Sequence, residues 1–204
     1  MSGMECFSGL SGIVLAGGLS RRMGQNKAEL RLNGKTLLEI QAGKLFALGI
    51  RDVMLSGADC PALPGTRVIP DEYTGRGPIG GLHACLRAAE NPACLVLSVD
   101  VPLIPPETLA RLCRAHGGGV TVLRRGNLEE PLIGVYDRCV SGPIAGMIGS
   151  GRYAVRDLRD AVRWNVFDYS GPEELLVNCN TPEDLAAAER LGMQGPPFGC
   201  EYWF

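Results

Sequence analysis

The order of apolar and polar segments predicts an α/β protein with a mostly parallel sheet. Short strand candidates alternate with helix candidates along the chain, as in repeated β-α units. The segment Cys94 to Val99 is apolar apart from Ser98, which is typical of a strand in a sheet with helices on both faces. A chain of 204 residues is long enough for one well-buried core and too short for two ordinary domains. We expect one domain over 11–192, a flexible leader at 1–10 and a tail at 193–204.

Strands in the first half of the chain each precede a helix or a glycine-rich loop. Thr36-Leu37-Leu38-Glu39 has the spacing of a capping box, so a helix should begin there and end at Gly49. Gly75-Arg76-Gly77-Pro78 predicts a loop that opens onto a helix through Leu82 and Leu86. The strands expected in this half are 12–16, 52–56, 67–70 and 94–99.

The second half is expected to contain a hairpin between helical segments. A short helix should begin at Pro105-Pro106-Glu107, and Gly126-Asn127 is a plausible turn between strands at 120–123 and 132–136. The last unit is predicted as a strand from Leu175 to Cys179, followed by a helix to Gly192 with Thr181 as N-cap and Pro182 at its first position. The other expected elements are helices at 141–148 and 155–162 and a strand at 165–167.

The segment from Gly17 to Lys27 directly follows the first strand and has the composition of a phosphate-binding loop. Two adjacent glycines let backbone amides approach a ligand closely, and Arg21, Arg22 and Lys27 supply positive charge for a polyphosphate. The alternative is a solvated cationic patch. Neither a Walker A loop nor a G-x-G-x-x-G pattern is present, so the segment predicts a triphosphate site of another type.

Other polar residues follow the predicted strands, at the edge where parallel sheets bind ligands. Asp100 closes the most apolar strand and is well placed to hold Mg²⁺ on a nucleotide's phosphates; the alternative is that it caps the turn before Pro102. Asp71 either contacts a ligand bound at this edge or is an ordinary loop acid next to Glu72. Asn178 and Asn180 would share one side of an extended strand, although Asn180 could serve only to start the next helix.

Composition and missing motifs exclude several classes of function. The net charge of −2 gives no general attraction to nucleic acid or anionic membrane, so neither is expected as a partner. No G-x-S-x-G or H-E-x-x-H pattern supports covalent or zinc hydrolysis. The first residues lack a basic segment before a long apolar stretch, and the longest apolar run, near 93–99, is far too short to span a membrane. A cytoplasmic location is therefore expected.

Taken together, four motifs resemble the molybdenum cofactor guanylyltransferase (MobA) family over about residues 12–192. The first motif is shared by many nucleotidyltransferases with the nucleotide-diphospho-sugar transferase fold, whereas the order of all four is more specific. Glu130-Pro131-Leu132 and Gly151-Arg152 also resemble the family's middle segment, near its pterin site. The four motifs are Leu15-Ala16-Gly17-Gly18-x-Ser20-x-Arg22-Met23-Gly24-x-x-Lys27, Gly77-Pro78-Ile79-Gly80-Gly81-Leu82, Asp100-x-Pro102-x-Ile104-Pro105 and Asn178-x-Asn180-Thr181-Pro182-Glu183-Asp184-Leu185.

The resemblance implies a Rossmann-like three-layer α/β/α fold with a mostly parallel mixed sheet. It also implies transfer of GMP from Mg-GTP to the terminal phosphate of molybdopterin, with release of pyrophosphate. Molybdoenzymes or cofactor-delivery proteins would be further partners. The roles that it implies are backbone contacts to GTP from Leu15, Ala16 and Gly17, phosphate binding and transition-state stabilisation by Lys27, assistance to the leaving group by Arg22, nucleotide contact by Asp71, nucleotide and Mg²⁺ binding by Asp100, and lining of the reacting centre by Asn178 and Asn180.

Two other functions are compatible with the sequence. A cytidylyltransferase or sugar-1-phosphate nucleotidyltransferase would share the fold, but Leu-Ala-Gly-Gly at 15–18 with Gly-Pro-Ile-Gly at 77–80 resembles the guanylyl enzymes. A non-catalytic nucleotide-binding regulator has little need for Asp100 as a metal-binding acid beside the phosphates. Ser56 stands where the family often has an asparagine that contacts the nucleotide.

Overall fold

A computed structural model describes residues 6–16 and 27–194 of the chain. Within them, seven strands form one sheet in the order β5-β4-β1-β6-β8-β7-β9, and β2 and β3 form a separate pair. The strands are β1 (Leu10–Leu15), β2 (Arg31–Leu32), β3 (Lys35–Thr36), β4 (Asp52–Ser56), β5 (Thr66–Ile69), β6 (Ala93–Ser98), β7 (Val120–Arg125), β8 (Leu128–Asp137) and β9 (Trp164–Asp168). The α-helices are α1 (Leu37–Ala47), α2 (Pro78–Ala88), α3 (Pro106–Arg114), α4 (Ser141–Gly149) and α5 (Pro182–Gln194).

The main sheet is mixed because β8 runs antiparallel to both of its neighbours, β6 and β7. The other neighbouring strands pair in parallel. The pairs Leu15 with Ser56 and Leu15 with Ser98 place the carboxyl ends of three strands side by side. The predicted α/β class with a mostly parallel mixed sheet is confirmed.

Alternate residues of the central strands enter two separate apolar cores. Val14 packs in a core that contains Leu45 of α1 and Leu109 of α3, whereas Ile13 packs in a core that contains Leu82 of α2. The period of two along β1 thus divides the strand between the two faces of the sheet. Helices cover both faces, as the three-layer α/β/α prediction requires.

Local sequence signals locate several of the helix and strand ends. Thr36 Oγ1 accepts a hydrogen bond from the Glu39 backbone N at 3.1 Å, and Glu39 Oε2 accepts one from the Thr36 backbone N at 2.6 Å, so the predicted capping box is present. Gly49 follows α1 with a φ of 76°, a conformation that favours glycine. The predicted turn at 126–127 connects β7 and β8.

Some elements differ from those expected. The predicted strand from Leu175 to Cys179 is wrong, because a 3-10 helix occupies Glu173–Leu176 and the following residues form no ladder. Residues 155–162 were expected as a helix and contain a 3-10 helix, Val155–Asp160. The last helix ends at Gln194 rather than Gly192. The β2–β3 hairpin was not anticipated.

The domain boundaries at 11–192 remain a prediction. Before β1, Phe7 packs against the core, and its backbone N donates to Leu48 O at 2.9 Å. The helices within 6–16 and 27–194 include none with the length and hydrophobicity needed to cross a lipid bilayer.

Candidate active site

The ends of β1 and β6 are tied together at the carboxyl edge of the sheet. Val99 N donates a hydrogen bond to Leu15 O at 3.2 Å, which continues the β1–β6 pairing beyond the last strand residue. Leu15 and Ala16 are buried residues, 4% and 5% exposed. The backbone contacts to a nucleotide that the motif implies for them remain a prediction.

Part of the predicted phosphate loop lies outside the described residues. This applies to Gly17, Arg21 and Arg22. Lys27 is described by its backbone only, at the start of a 3-10 helix, Lys27–Glu29. The roles predicted for Gly17, Arg22 and Lys27 remain predictions.

Asp100 follows β6 at the same edge and is held by its neighbours. Ser98 Oγ donates to Asp100 Oδ1 at 2.5 Å, and the Asp100 backbone O accepts from Cys179 N at 2.7 Å. The first contact orients the carboxylate, and the second connects the loop after β6 to the segment before α5. The structure thus brings the predicted Asp100 motif and the predicted asparagine motif together.

Asp71 lies after β5 with one carboxylate oxygen buried. Asp71 Oδ1 has no hydrogen-bond partner among the described residues, and burial raises the pKa of this carboxyl above its ordinary value. A buried acceptor without a donor destabilises a protein, so a donor group on a ligand would be favoured there. A buried oxygen without a donor is unusual for an ordinary loop acid, whereas the hydroxyl or N–H of a nucleotide would supply the missing donor.

The glycines at the start of α2 have a packing explanation. A Cβ atom on Gly81 would lie 2.9 Å from Ser56 Oγ and 3.0 Å from Asp71 Oδ1, and one on Gly80 would lie 2.7 Å from Tyr73 O. These glycines let the helix approach the ends of β4 and β5. Gly81 in particular leaves space for the Asp71 carboxylate beside the helix.

Asn178 and Asn180 flank a buried cysteine in an extended segment. Cys179 has no exposed surface, Asn178 is exposed and Asn180 is half-buried. The alternation agrees with the expectation that both amides share one side, although the segment is not a strand. Asn180 also helps to start α5, because its backbone N donates to Asp184 Oδ2 at 2.9 Å.

Sequence reasoning missed two polar side chains that contact the Asp100 loop. Gln41 and Lys44 lie on α1, are 1% and 4% exposed, and hydrogen-bond to carbonyls between residues 98 and 102. The available signal was a glutamine and a lysine three positions apart within an otherwise apolar face.

Glu130 adds a second carboxylate near Asp100. It is half-buried on β8, opposite Leu123 of β7. Burial raises the pKa of Glu130, and the negative charge of Asp100 raises it further, against an opposing effect of Arg125. Its motif was noticed from the sequence, but its proximity to Asp100 was not.

Comparison with known proteins gives the class and the family. The mostly parallel mixed sheet, with Asp71 and Asp100 after strands at its carboxyl edge, is the architecture of a nucleotidyltransferase, in agreement with the matched family. Residues 12–166 match the family described as the MobA-like NTP transferase domain, and the chain belongs to this family. The resemblance found in the sequence motifs is confirmed.

Relatives match over most of their length. A probable molybdenum cofactor guanylyltransferase from Pelotomaculum thermopropionicum is 35% identical over 187 residues, covering 87% of this chain and 91% of that protein. A molybdenum cofactor guanylyltransferase from Rhizobium johnstonii is 31% identical over 197 residues, covering 90% and 93%.

Solved structures share the fold. Molybdopterin-guanine dinucleotide biosynthesis protein A from Archaeoglobus fulgidus matches with a TM-score of 0.75 and 24% identity over 91% of this chain and 100% of that one. A 2-C-methyl-D-erythritol 4-phosphate cytidylyltransferase from Thermus thermophilus matches with a TM-score of 0.70 and 20% identity over 90% and 98%. The architecture is thus common to enzymes named for different nucleotides.

Proposed function

We propose that this protein is a molybdenum cofactor guanylyltransferase. It transfers GMP from GTP to the terminal phosphate of molybdopterin, forming the guanine dinucleotide cofactor and releasing pyrophosphate. Support comes from relatives of that name at 35% and 31% identity over most of the chain. The observation that carries the proposal is the gathering of Leu15, Asp100 and Cys179 by two backbone hydrogen bonds at one edge of the sheet.

The reaction requires positioning and neutralisation of charge. A phosphate oxygen of the acceptor attacks the α-phosphorus of GTP, the bond between the α- and β-phosphates breaks, and pyrophosphate leaves with the electron pair. The positive charges of Lys27 and Arg22 would oppose the negative charge that develops on the leaving group. Asp71 would accept a hydrogen bond from the nucleotide through its buried, unpartnered oxygen.

The Asp100 carboxylate suits Mg²⁺. This ion usually takes one or two protein carboxylates, with its remaining ligands from phosphates and water. Among the described residues, no group of three or more His, Cys, Asp or Glu side chains is arranged to hold a metal, so the fit rests on Asp100 together with substrate oxygens. When bound, Mg²⁺ would neutralise phosphate charge, while Ser98 keeps the Asp100 carboxylate oriented.

The proposal is tested by measuring pyrophosphate release with GTP, CTP, ATP and UTP in turn, with and without molybdopterin. We expect release with GTP only when molybdopterin is present, and the dinucleotide as product. Preference for CTP would instead indicate a cytidylyltransferase. Full activity without the pterin, or binding of GTP without turnover under any condition, would also contradict the proposal.

Removing the Asp100 carboxylate tests the site. We expect Asp100→Ala to lower the Mg²⁺-dependent rate by a factor of about 100 or more, because the metal loses its protein ligand. Asp160→Ala is the matched control, since Asp160 is an exposed acid at the end of a 3-10 helix. Unchanged turnover in an Asp100→Ala protein with a native melting temperature would remove Asp100 from the mechanism.

A further inference from the structure

The loop that carries Asp100 is attached to α1 by the side chain of Gln41. Gln41 Nε2 donates to Ser98 O at 2.6 Å and to Val101 O at 3.0 Å. These two carbonyls lie on either side of Asp100. One amide group therefore spans the turn and fixes its width.

Lys44, one helical turn further along α1, holds the next part of the same loop. Its Nζ donates to Pro102 O at 2.5 Å and to Gln41 Oε1 at 3.1 Å. The lysine thus orients the glutamine amide as well as the loop. Together with Cys179 N, which donates to Asp100 O, the two side chains supply donors to four carbonyls between residues 98 and 102.

Burying these two groups is costly for a helix that packs by apolar contacts. Leu38, Ala42 and Leu45 of the same helix are 0%, 2% and 0% exposed. An amide and an amine in such surroundings lose their hydration and are tolerated only with good partners. Both groups find their hydrogen-bond partners at the Asp100 loop, so the contacts with that loop explain why they are buried there.

We propose that Gln41 and Lys44 are positioning residues for the transfer reaction. They act through the backbone of residues 98–102 and set the direction of the Asp100 carboxylate towards the metal and the phosphates. This inference rests on the proposed role of Asp100. Neither side chain is assigned contact with substrate.

Two variants of nearly unchanged volume test the inference. Gln41→Met and Lys44→Met remove the donors while filling the same space. The measurement is the Mg²⁺ concentration that gives half of the maximal transfer rate, at saturating GTP and molybdopterin. We expect it to rise about tenfold in each variant, because small displacements of a ligand-bearing group cost large factors in rate and binding.

Leu45→Ala is the matched control. Leu45 lies on the same helix and packs against Gly12 of β1, so its truncation lowers stability without removing a donor to the loop. We expect Leu45→Ala to lower the melting temperature and to leave the Mg²⁺ half-saturation within twofold of wild type. The electron paramagnetic resonance spectrum of Mn²⁺ bound to the enzyme with GTP should change in the two Met variants and not in Leu45→Ala.

The outcomes separate the inference from the proposed function. A wild-type protein without guanylyl transfer, or a fully active Asp100→Ala variant, would contradict the proposed function itself. An active wild type with unchanged Mg²⁺ half-saturation in folded Gln41→Met and Lys44→Met would overturn only the positioning role. If the Met variants do not fold, Gln41→Asn and Lys44→Gln, which stay polar but move or shorten the donor, are judged by the same twofold limit.

Discussion

Gly81 determines how closely α2 approaches the carboxyl edge of the sheet near Asp71. A Cβ atom there would meet the side chain of Ser56, at the end of β4, and that of Asp71, two residues after β5. A side chain at position 81 would therefore be forced against both of these polar groups.

Gly81→Ala should therefore lower both stability and nucleotide affinity. We expect a loss of about 1–3 kcal/mol in the free energy of unfolding, because backbone or strand ends must shift to admit the methyl group. The KM for GTP should rise, since Asp71 is one of the displaced groups. Urea unfolding and steady-state kinetics measure the two effects.

Gly146→Ala provides the control for this prediction. Gly146 is exposed within α4, and a Cβ atom there would meet nothing within 4 Å. Alanine should stabilise that helix by about 0.5–1 kcal/mol and leave the KM unchanged. Equal effects of the two substitutions would show that the close approach at Gly81 has no energetic importance.

Lys44 should make stability depend on pH. Burial lowers the pKa of its amine from 10.5 to about 7, against an opposing effect of Cys179. The unfolded chain then binds more protons than the folded one between these two values, so the free energy of unfolding rises as pH rises through this range.

Comparison of wild type with Lys44→Met isolates this contribution, because the other titrating groups are shared. We expect the difference in the free energy of unfolding, wild type minus variant, to increase by about 2 kcal/mol between pH 7 and pH 9. Urea denaturation at the two pH values measures it. If the difference between wild type and Lys44→Met stays constant, or falls with rising pH, burial does not disfavour the charged form of the Lys44 amine.

At the scale of elements, the start of α5 connects a helix cap to the candidate site. Asp184 Oδ2 accepts from the backbone N of Asn180 and of Thr181, both at 2.9 Å, and Thr181 Oγ1 accepts from Asp184 N at 3.1 Å. These reciprocal bonds form a capping box. They also fix the backbone on which Asn180 is carried.

Asp184→Ala should consequently reduce transfer although Asp184 is assigned no contact with substrate. We expect kcat to fall about fivefold, because the backbone N of Asn180 and that of Thr181 each lose the carboxylate that accepts their hydrogen bond. Glu183→Ala is the control, because Glu183 is an exposed acid next to Asp184 and accepts neither of these two hydrogen bonds. If both variants and wild type have the same kcat at saturating substrate, the helix cap makes no contribution to catalysis.

The segment before α5 illustrates a limit of prediction from local pattern. Exposed and buried residues alternate at 178–180, which is typical of a strand, yet the backbone of Cys179 pairs with a loop carbonyl of Asp100 rather than with a strand. Side-chain alternation reports an extended backbone next to the core. It does not report whether a neighbouring strand is available, because that depends on the assembled sheet.

At the scale of the whole molecule, the fold was accessible from the sequence because each β-α unit carries its own signals. Cys94 to Leu97 and the Thr36 capping box are local, and Asp71 and Asp100 could be placed at the carboxyl edge of the sheet because they follow strands. Gln41 and Lys44 could not, because their partners lie 57 to 60 positions away along the chain. The periodicity of α1 marks its buried face without indicating which loop that face meets.

The attachment of Gln41 to the loop at 98–101 restricts how this scaffold can be re-engineered. A graft that replaces the loop at 98–102 with that of a cytidylyl enzyme but keeps α1 would leave the Gln41 amide, which donates to Ser98 O and Val101 O, opposite carbonyls in foreign positions. The loop at 98–102 and α1 should therefore be exchanged together, and chimaeras that separate them should lose metal dependence before they lose the fold.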